Sequence, residues 1–478
     1  MAKIAFFNFT PVIVNNDWKN VCYYEGLIKS FLENGNDVYQ FVTNEFLIKP
    51  WNGSNEAVSK PHKEEVLAEL KAFNPDFIIS FNHSFIEDAD KVLDCPIILW
   101  EADAPKYFSD QDYIKKNIDR YLFFAFSEFV EMDFKNRFGA SENQVFRIRN
   151  ATAVQAEKIA KKQNISFIGS CFENPIVVVR LFRESPQKFF DFLKLCDGQD
   201  EKKIENLIQN SDYSQSGLKT NHIIDIRTSQ KRLQTLSAVA DLGLAIWGDS
   251  KWQNQYTHSI DLALSYDDRL AYSLEHNQDI YNKSKVSINV SHAQAITGYP
   301  WRVLDILASD SVLVSDSQKD LIDDFGKDVS LQLYNNPFEA REICRKIIID
   351  DSLRNDIIAQ QNEAINKNYR WEQRFAEIER ILKVSLLNNP QIGTLKKFKL
   401  QNTKQIDFAY KTIKCFFDIR QKISKIRGKS NKKSKFSLLK SIWDKSPNVW
   451  KYASFKLYCI YNFKNKPPHG QNKNGDTN

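Results

Sequence analysis

Residues Ser284 to Gly326 read SKVSINVSHAQAITGYPWRVLDILASDSVLVSDSQKDLIDDFG. Val286 to Val290 predicts a strand. A loop holding Gly298 and Pro300 follows, then a short helix from Trp301 to Ala308, a second strand from Val312 to Ser315, and a helix with Ser317 in the N-cap position. In a parallel α/β sheet the loops at the carboxyl ends of strands face the ligand crevice, and a helix that starts there aims backbone N–H groups at an anion. Arg302 lies in the first turn of that helix and Asp305 one turn on, along the same face. One can meet a diphosphate, the other a pair of ribose hydroxyls. The same spacing also describes an ordinary surface ion pair at i, i+3.

Outward from this stretch, the 478 residues suffice for two or three domains with separate cores. The seven cysteines are odd in number, scattered, and form no CxxC pair, so neither a disulfide framework nor a zinc site is indicated. The apolar run at Ile4–Phe7 is too short for a signal peptide, and no stretch reaches the length of a membrane span. These features predict a cytoplasmic protein. The formal net charge of +6 hides an asymmetry. From Gln391 onward, twenty-one Lys and Arg stand against four Asp, a net of +17, which leaves −11 for the rest. An acidic body with a basic tail predicts an appended anchoring segment rather than a nucleic-acid binder.

Residues 1–155 alternate near-continuous apolar strands with helices. KIAFFNF (Lys3–Phe9), DVYQFVT, PDFIISF, PIILWEAD, LFFAFS and VFRIRN are the strands. Helices fall at Val21–Leu32, Glu64–Phe73, Ile86–Leu93 and through Phe134. That is one Rossmann-like domain. It has Phe9-Thr10-Pro11 where a dinucleotide-binding GxGxxG would stand, and no P-loop occurs in the chain. Two strand ends carry polar groups, Asn82-His83-Ser84 and Glu101-Ala102-Asp103. His83 or Asp103 can serve as general base toward an acceptor hydroxyl. Their ordinary structural roles are a turn start for His83 and a cap before Pro105 for Asp103.

Ala151–Gln163 reads as a linker, and the alternation restarts with NISFIGS, ending in Gly169-Ser170, where glycine allows close backbone approach to a ligand. A helix carrying Arg180 and Arg183, the helix Ser229–Ala240 and the strand LGLAIWG lead to Ser284–Gly326, with more helices from Pro337 to Leu387. Residues 164–389 therefore predict a second Rossmann-like domain, with Asp249–Asn282 showing no clear period. In residues 390–478, apolar positions Ile406, Ala409, Tyr410, Ile413, Phe416, Phe417, Ile423 and Ile426 recur at helical spacing among lysines. A basic amphipathic helix of this kind suits an anionic membrane surface. Packing of its stripe on the body, or nonspecific nucleic-acid binding, are the competing readings. PPHGQNKNGDTN at the end predicts disorder.

YNKSKVSINVS, then G-x-x-x-RVLDILASDSVLVSD, then YRWEQRF resemble the C-terminal half of the CgeB-like, group 1 GT-B glycosyltransferases. PDFIISFNH and PIILWEADAP resemble that group's N-terminal domain. The resemblance covers roughly Met1 to Leu387. It implies two Rossmann-like domains facing a cleft, and a nucleotide-diphosphate sugar held mainly by the second. Arg302 matches the family arginine near the diphosphate, Asp305 the acidic residue on the ribose, and Gly169 with Ser170 the strand–glycine element. The implied partners are a sugar nucleotide and a glycan or lipid-linked acceptor such as lipopolysaccharide or capsule at the inner membrane face. No metal or other cofactor is implied; Arg302 and the Gly298 loop, with Arg180 in reserve, would stabilise the leaving diphosphate. Two departures stand out. The group's second glutamate, eight residues before the ribose acid, is Thr297 here, and its small glycine pair is Ser309-Asp310-Ser311. The first leaves the stereochemical outcome open. A nucleotide-sugar epimerase and a noncatalytic sugar-nucleotide-binding assembly protein are the rival functions.

Overall fold

The computed structural model describes residues 1–10, 12–15, 17–43, 63–82, 89–108, 111–172, 176–387 and 390–399. They divide into two compact units: Met1–Ala153 with the residues from Trp371 to 399, and Val154–Arg370.

The first unit opens with Lys3–Asn8 (β1), a hairpin of Val12–Val14 (β2) and Asp17–Lys19 (β3), and helix Cys22–Glu33 (α1), which stops at Gly35 with φ 77°. Then come Asp37–Val42 (β4), Lys63–Phe73 (α2), Phe77–Phe81 (β5), Ile97–Trp100 (β6), Gln111–Lys116 (α3), Tyr121–Ala125 (β7), Glu128–Phe138 (α4) and Val145–Arg147 (β8). Strands β4-β1-β5-β6-β7-β8 pair in parallel in that order. Their residues are buried nearly throughout, as a sheet covered on both faces requires. The expected helix at Ile86–Leu93 is a single 3₁₀ turn at Ala89–Lys91 within the described residues. The hairpin carried too few residues to show a period.

The second unit begins with Gln163–Ile168 (β9) and runs through four helices, Ile176–Glu184 (α5), Pro186–Cys196 (α6), Glu201–Gln209 (α7) and Thr220–Val239 (α8). Leu244–Trp247 (β10) follows, then a 3₁₀ run at Ser250–Thr257, Ile260–Leu264 (α9) and Leu274–Asn282 (α10), which account for the stretch without a period. Next are Ser284–Asn289 (β11), Arg302–Leu307 (α11), Val312–Asp316 (β12), Lys319–Phe325 (α12), Gln332–Tyr334 (β13), Pro337–Ile349 (α13) and Asp351–Asn368 (α14). The sheet order is β10-β9-β11-β12-β13, all parallel. Val286, Ile288 and Val290 join the main core, while Ser287 on the alternate face bridges Ser166 and Ser311 through hydroxyls 2.8 Å away on either side. Gln318, not Ser317, occupies the cap position of α12; the Ser317 N–H is spent on the Tyr334 carbonyl.

The chain leaves the second unit at Arg370 rather than near 389. Helix Trp371–Leu382 (α15) returns to the first, where Phe375 stacks on Phe31 at 4.3 Å and Trp371 meets Tyr23 at 5.3 Å. Leu395–Lys397 (β14) then adds a parallel edge strand beside β4. Residues 390–399, read as the start of the tail, thus belong partly to a sheet. Gly393 is required there, because a Cβ would sit 1.9 Å from the Asn36 carbonyl oxygen. The amphipathic stripe from Ile406 onward lies outside the described residues. Among the described residues no helix is long and apolar enough to cross a membrane. Replacing the fully buried Phe375 with Ala should cost about 3–5 kcal/mol. Urea unfolding of the first unit, followed by tryptophan emission, would measure the loss.

Candidate functional site

The site is built where β9, β10, β11 and β12 end. Gly169 and Gly248 follow β9 and β10 so closely that a Cβ on Gly248 would lie 2.1 Å from the Gly169 oxygen. That oxygen accepts the indole N–H of the fully buried Trp252 at 2.8 Å. Gly169 stands at the end of β9, where a Cβ would also meet the Phe167 ring at 2.8 Å, and its partner across the strand pair, Gly248, serves packing.

From α8, Arg232 reaches under these ends. Its guanidinium donates to the carbonyls of Ser170 at 2.6 Å and Val290 at 3.3 Å, tying the loop after β9 to the loop after β11. It is 2% exposed and lies 4.9 Å from the ring of Phe172, a residue held at φ 56°. A bulky residue in the left-handed region is strained, and such strain tends to cluster at functional sites. The Phe172 ring also meets that of His292, with centroids 4.7 Å apart. Burial, then the nearby Arg302 charge, pull the Arg232 guanidinium down to about 9, with Asp249 and Asp316 acting the other way. An arginine keeps its proton, so the shift expresses the cost of holding two guanidiniums close with little water. A bound anion lowers that cost.

Arg302 opens α11 and is half-buried. Among the described residues its one hydrogen bond is from Nη1 to Asn289 Oδ1, at 3.3 Å. Burial lowers its pKa, against the influence of Tyr281, Asp316 and Asp305. Asp305 follows one turn later and is itself buried at 7% exposure, which a solvated surface ion pair would not be. Helix α11 has only six residues, so its dipole adds little and Arg302 supplies the positive charge at this strand end. The expected Trp301–Ala308 helix is shorter at both ends.

The loop between β11 and α11 is clamped on α12. Thr297 donates to Asp320 at 3.2 Å and receives its backbone N–H at 2.9 Å, and the Tyr299 hydroxyl donates to Asp324 at 2.7 Å. Thr297 therefore spends its hydroxyl on the fold rather than replacing the missing glutamate. Gly298, between these clamps, does not adopt a positive φ. Ser309-Asp310-Ser311 also has structural duties: Asp310 takes Lys161 at 2.7 Å, anchoring the segment ahead of β9, and Ser311 ends the serine ladder. Arg180 is exposed on α5. Its partners are the Ser216 carbonyl and Glu184, in the helical layer rather than at the strand ends.

In the first unit, Asn82 at φ 55° accepts the backbone N–H groups of Ala102 and Asp103 at 2.7 and 2.9 Å and donates to Asp103 Oδ2 at 2.8 Å. Asp103 is exposed, oriented by this clamp, and caps no helix; Ala104 occupies the cap position before Pro105. Burial, with the Asp103 carboxylate near, raises the Tyr24 phenol above its ordinary value. His83 lies outside the described residues.

Sequence reading missed Arg232, Lys231, Asn289 and Asp316. Their signal was slight: polar residues at the last positions of two apolar strands, and a basic pair inside a helix. Their convergence depends on contacts across 13 to 85 residues.

Residues 227–380, less than half of the chain, match a family model described as glycosyl transferase-like. Among solved structures, the sucrose-phosphate synthase of Thermosynechococcus elongatus is similar at 10% identity over 80% of this chain and 98% of that one, with a TM-score of 0.50. A glycosyltransferase of Rickettsia africae is similar at 12% identity over 80% and 99%, with a TM-score of 0.43. An Anabaena protein in complex with UDP and glucose gives 12%, 80%, 100% and 0.43. No curated protein sequence matches. The first of these likenesses shows the fold, which is of the GT-B type, and the second unit carries a glycosyl transferase-like domain.

Proposed function

We propose that this protein is a nucleotide-sugar-dependent glycosyltransferase of the group 1, CgeB-like kind, acting on a cell-envelope glycan at the cytoplasmic membrane face. The observation that carries the donor half is Arg302: a half-buried cation at the strand ends, hydrogen-bonded to a neutral acceptor and lying near a second buried guanidinium. Such a group is poised for an anion. The family match over 227–380 encloses Arg232, Arg302 and Asp305 and supports the same reading.

In this reading Arg302 meets the diphosphate and Asp305 the ribose hydroxyls, with Gly169 and Ser170 leaving room for the ligand backbone. As the bond from the anomeric carbon to the diphosphate oxygen breaks, its electron pair stays on that oxygen and Arg302 stabilises the developing charge. The acceptor oxygen forms the new bond to the anomeric carbon and gives up its proton to a base, the role assigned to Asp103 or His83. The membrane and glycan half rests on the +17 charge from Gln391 onward and its apolar stripe.

A thermal-shift screen with UDP, GDP, ADP, dTDP and their sugar derivatives tests the donor site. At least one should stabilise the wild type. Asp305→Asn should weaken that ligand tenfold to a hundredfold, the worth of charge-assisted bonds of about 1.5–3 kcal/mol. Stabilisation by none of them would refute the donor site.

A further inference from the structure

Asn289, the last residue of β11, is completely buried between two ions of opposite kind. Its Nδ2 faces Asp316 Oδ1 at 3.3 Å, Ser315 Oγ at 3.0 Å and Ser291 Oγ at 3.2 Å, and its Oδ1 faces Arg302 Nη1 at 3.3 Å. A carboxylate only accepts and a guanidinium only donates, so the carboxamide can stand in one orientation alone. An aspartate at 289 would set a second negative charge against Asp316, and an apolar residue would leave Arg302 without its acceptor.

Asp316 fixes the other end. It is 3% exposed, and its Oδ1 also accepts the Ser291 N–H at 2.9 Å. Its Oδ2 takes Lys231 Nζ at 2.5 Å and Gln318 Nε2 at 3.0 Å. With these partners it is anchored from α8, from the approach to α12 and from the loop after β11 at once. A fully satisfied buried polar network of this sort is rigid and specifies one arrangement.

Arg302 itself is a long, flexible side chain entering from a six-residue helix. Without a fixed acceptor its guanidinium would spread over several rotamers, and ordering it would weaken anion binding. Asn289 supplies that acceptor without neutralising the charge, as a carboxylate would. We propose that Asn289 and Asp316 are positioning residues which hold the Arg302 guanidinium in the direction needed to receive the diphosphate of a nucleoside diphosphate. The proposal rests on the glycosyl-donor reading above.

A double-mutant cycle on the full chain tests it, with calorimetric titration of UDP, GDP, ADP and dTDP, of their nucleosides, and of inorganic pyrophosphate. Asn289→Leu should weaken the bound nucleoside diphosphate and pyrophosphate about tenfold and leave the nucleoside unchanged. In an Arg302→Met background the same substitution should add no further loss, because coupled residues are non-additive. Asp316→Asn, which keeps the shape, should give an intermediate loss that also vanishes in that background, and it serves if Asn289→Leu does not fold. Equal losses with and without Arg302, or an equal loss for the nucleoside, would overturn the positioning role. A wild type that binds none of the four diphosphates would instead overturn the donor reading, and this inference with it.

Discussion

Arg302→Ala should reduce donor affinity or turnover by about a hundredfold or more, the effect of removing one preorganised charge from a developing anion. The fold should survive. Arg302 is half-buried, and its hydrogen-bond partner Asn289 keeps three oxygens around its amide nitrogen. Removing a partly desolvated cation beside Arg232 relieves a repulsion, which offsets part of the loss of about 1–3 kcal/mol when the buried Asn289 Oδ1 is left without its donor, so thermal stability should fall only modestly. Arg302→Lys should recover only part of the loss, since an ammonium is a point charge without the planar fork that matches phosphate oxygens. Titration with the stabilising nucleoside diphosphate, alongside a melting curve of each variant, separates binding from folding. Unchanged affinity in a folded Arg302→Ala protein would remove this residue from the site.

Gly248→Ala should be the most damaging single-methyl change in the second unit. The added carbon would lie 2.1 Å from the Gly169 oxygen and 2.9 Å from its carbonyl carbon, both backbone atoms. Neither can move without parting the ends of β9 and β10 and breaking the Trp252 bond to the same oxygen. The cost should be about 3 kcal/mol or more, at the upper end for overpacking. It should also reach the site, because Ser170, the next residue, is held by Arg232. Gly139→Ala is the control: φ there is 77° but nothing lies within 4 Å, so only the backbone strain of about 1 kcal/mol remains. Urea unfolding of both variants measures the contrast. Equal losses would mean that the β9–β10 contact is looser than its geometry states.

Two glycines in one chain thus carry different information. Gly169 was legible as the glycine that ends an apolar strand, whereas Gly248 looks the same in sequence and is needed for close contact with the Gly169 backbone. Thr297 shows the converse. It marked a departure from the group 1 pattern, and only its bond to Asp320 shows where its hydroxyl goes. Asp103 was read correctly as a strand-end carboxylate, yet its orientation depends on Asn82, a turn residue at φ 55° whose side chain reaches the next strand end.

The sequence by itself determined most of the core strands and their flanking helices, the parallel α/β class, and the pairing of Arg302 with Asp305 on one helical turn. These depend on residues a few positions apart, whose periodicity records which face is buried. The tertiary structure alone decided that α15 and β14 return to the first unit, and that Arg232, Lys231, Asn289 and Asp316 gather around Arg302. Phe375 meets Phe31, and Lys231 meets Asp316, only because the folded sheets bring their supporting elements together. Contacts that span most of a domain leave no local period, and buried polar residues that serve them look in sequence like interruptions of a strand.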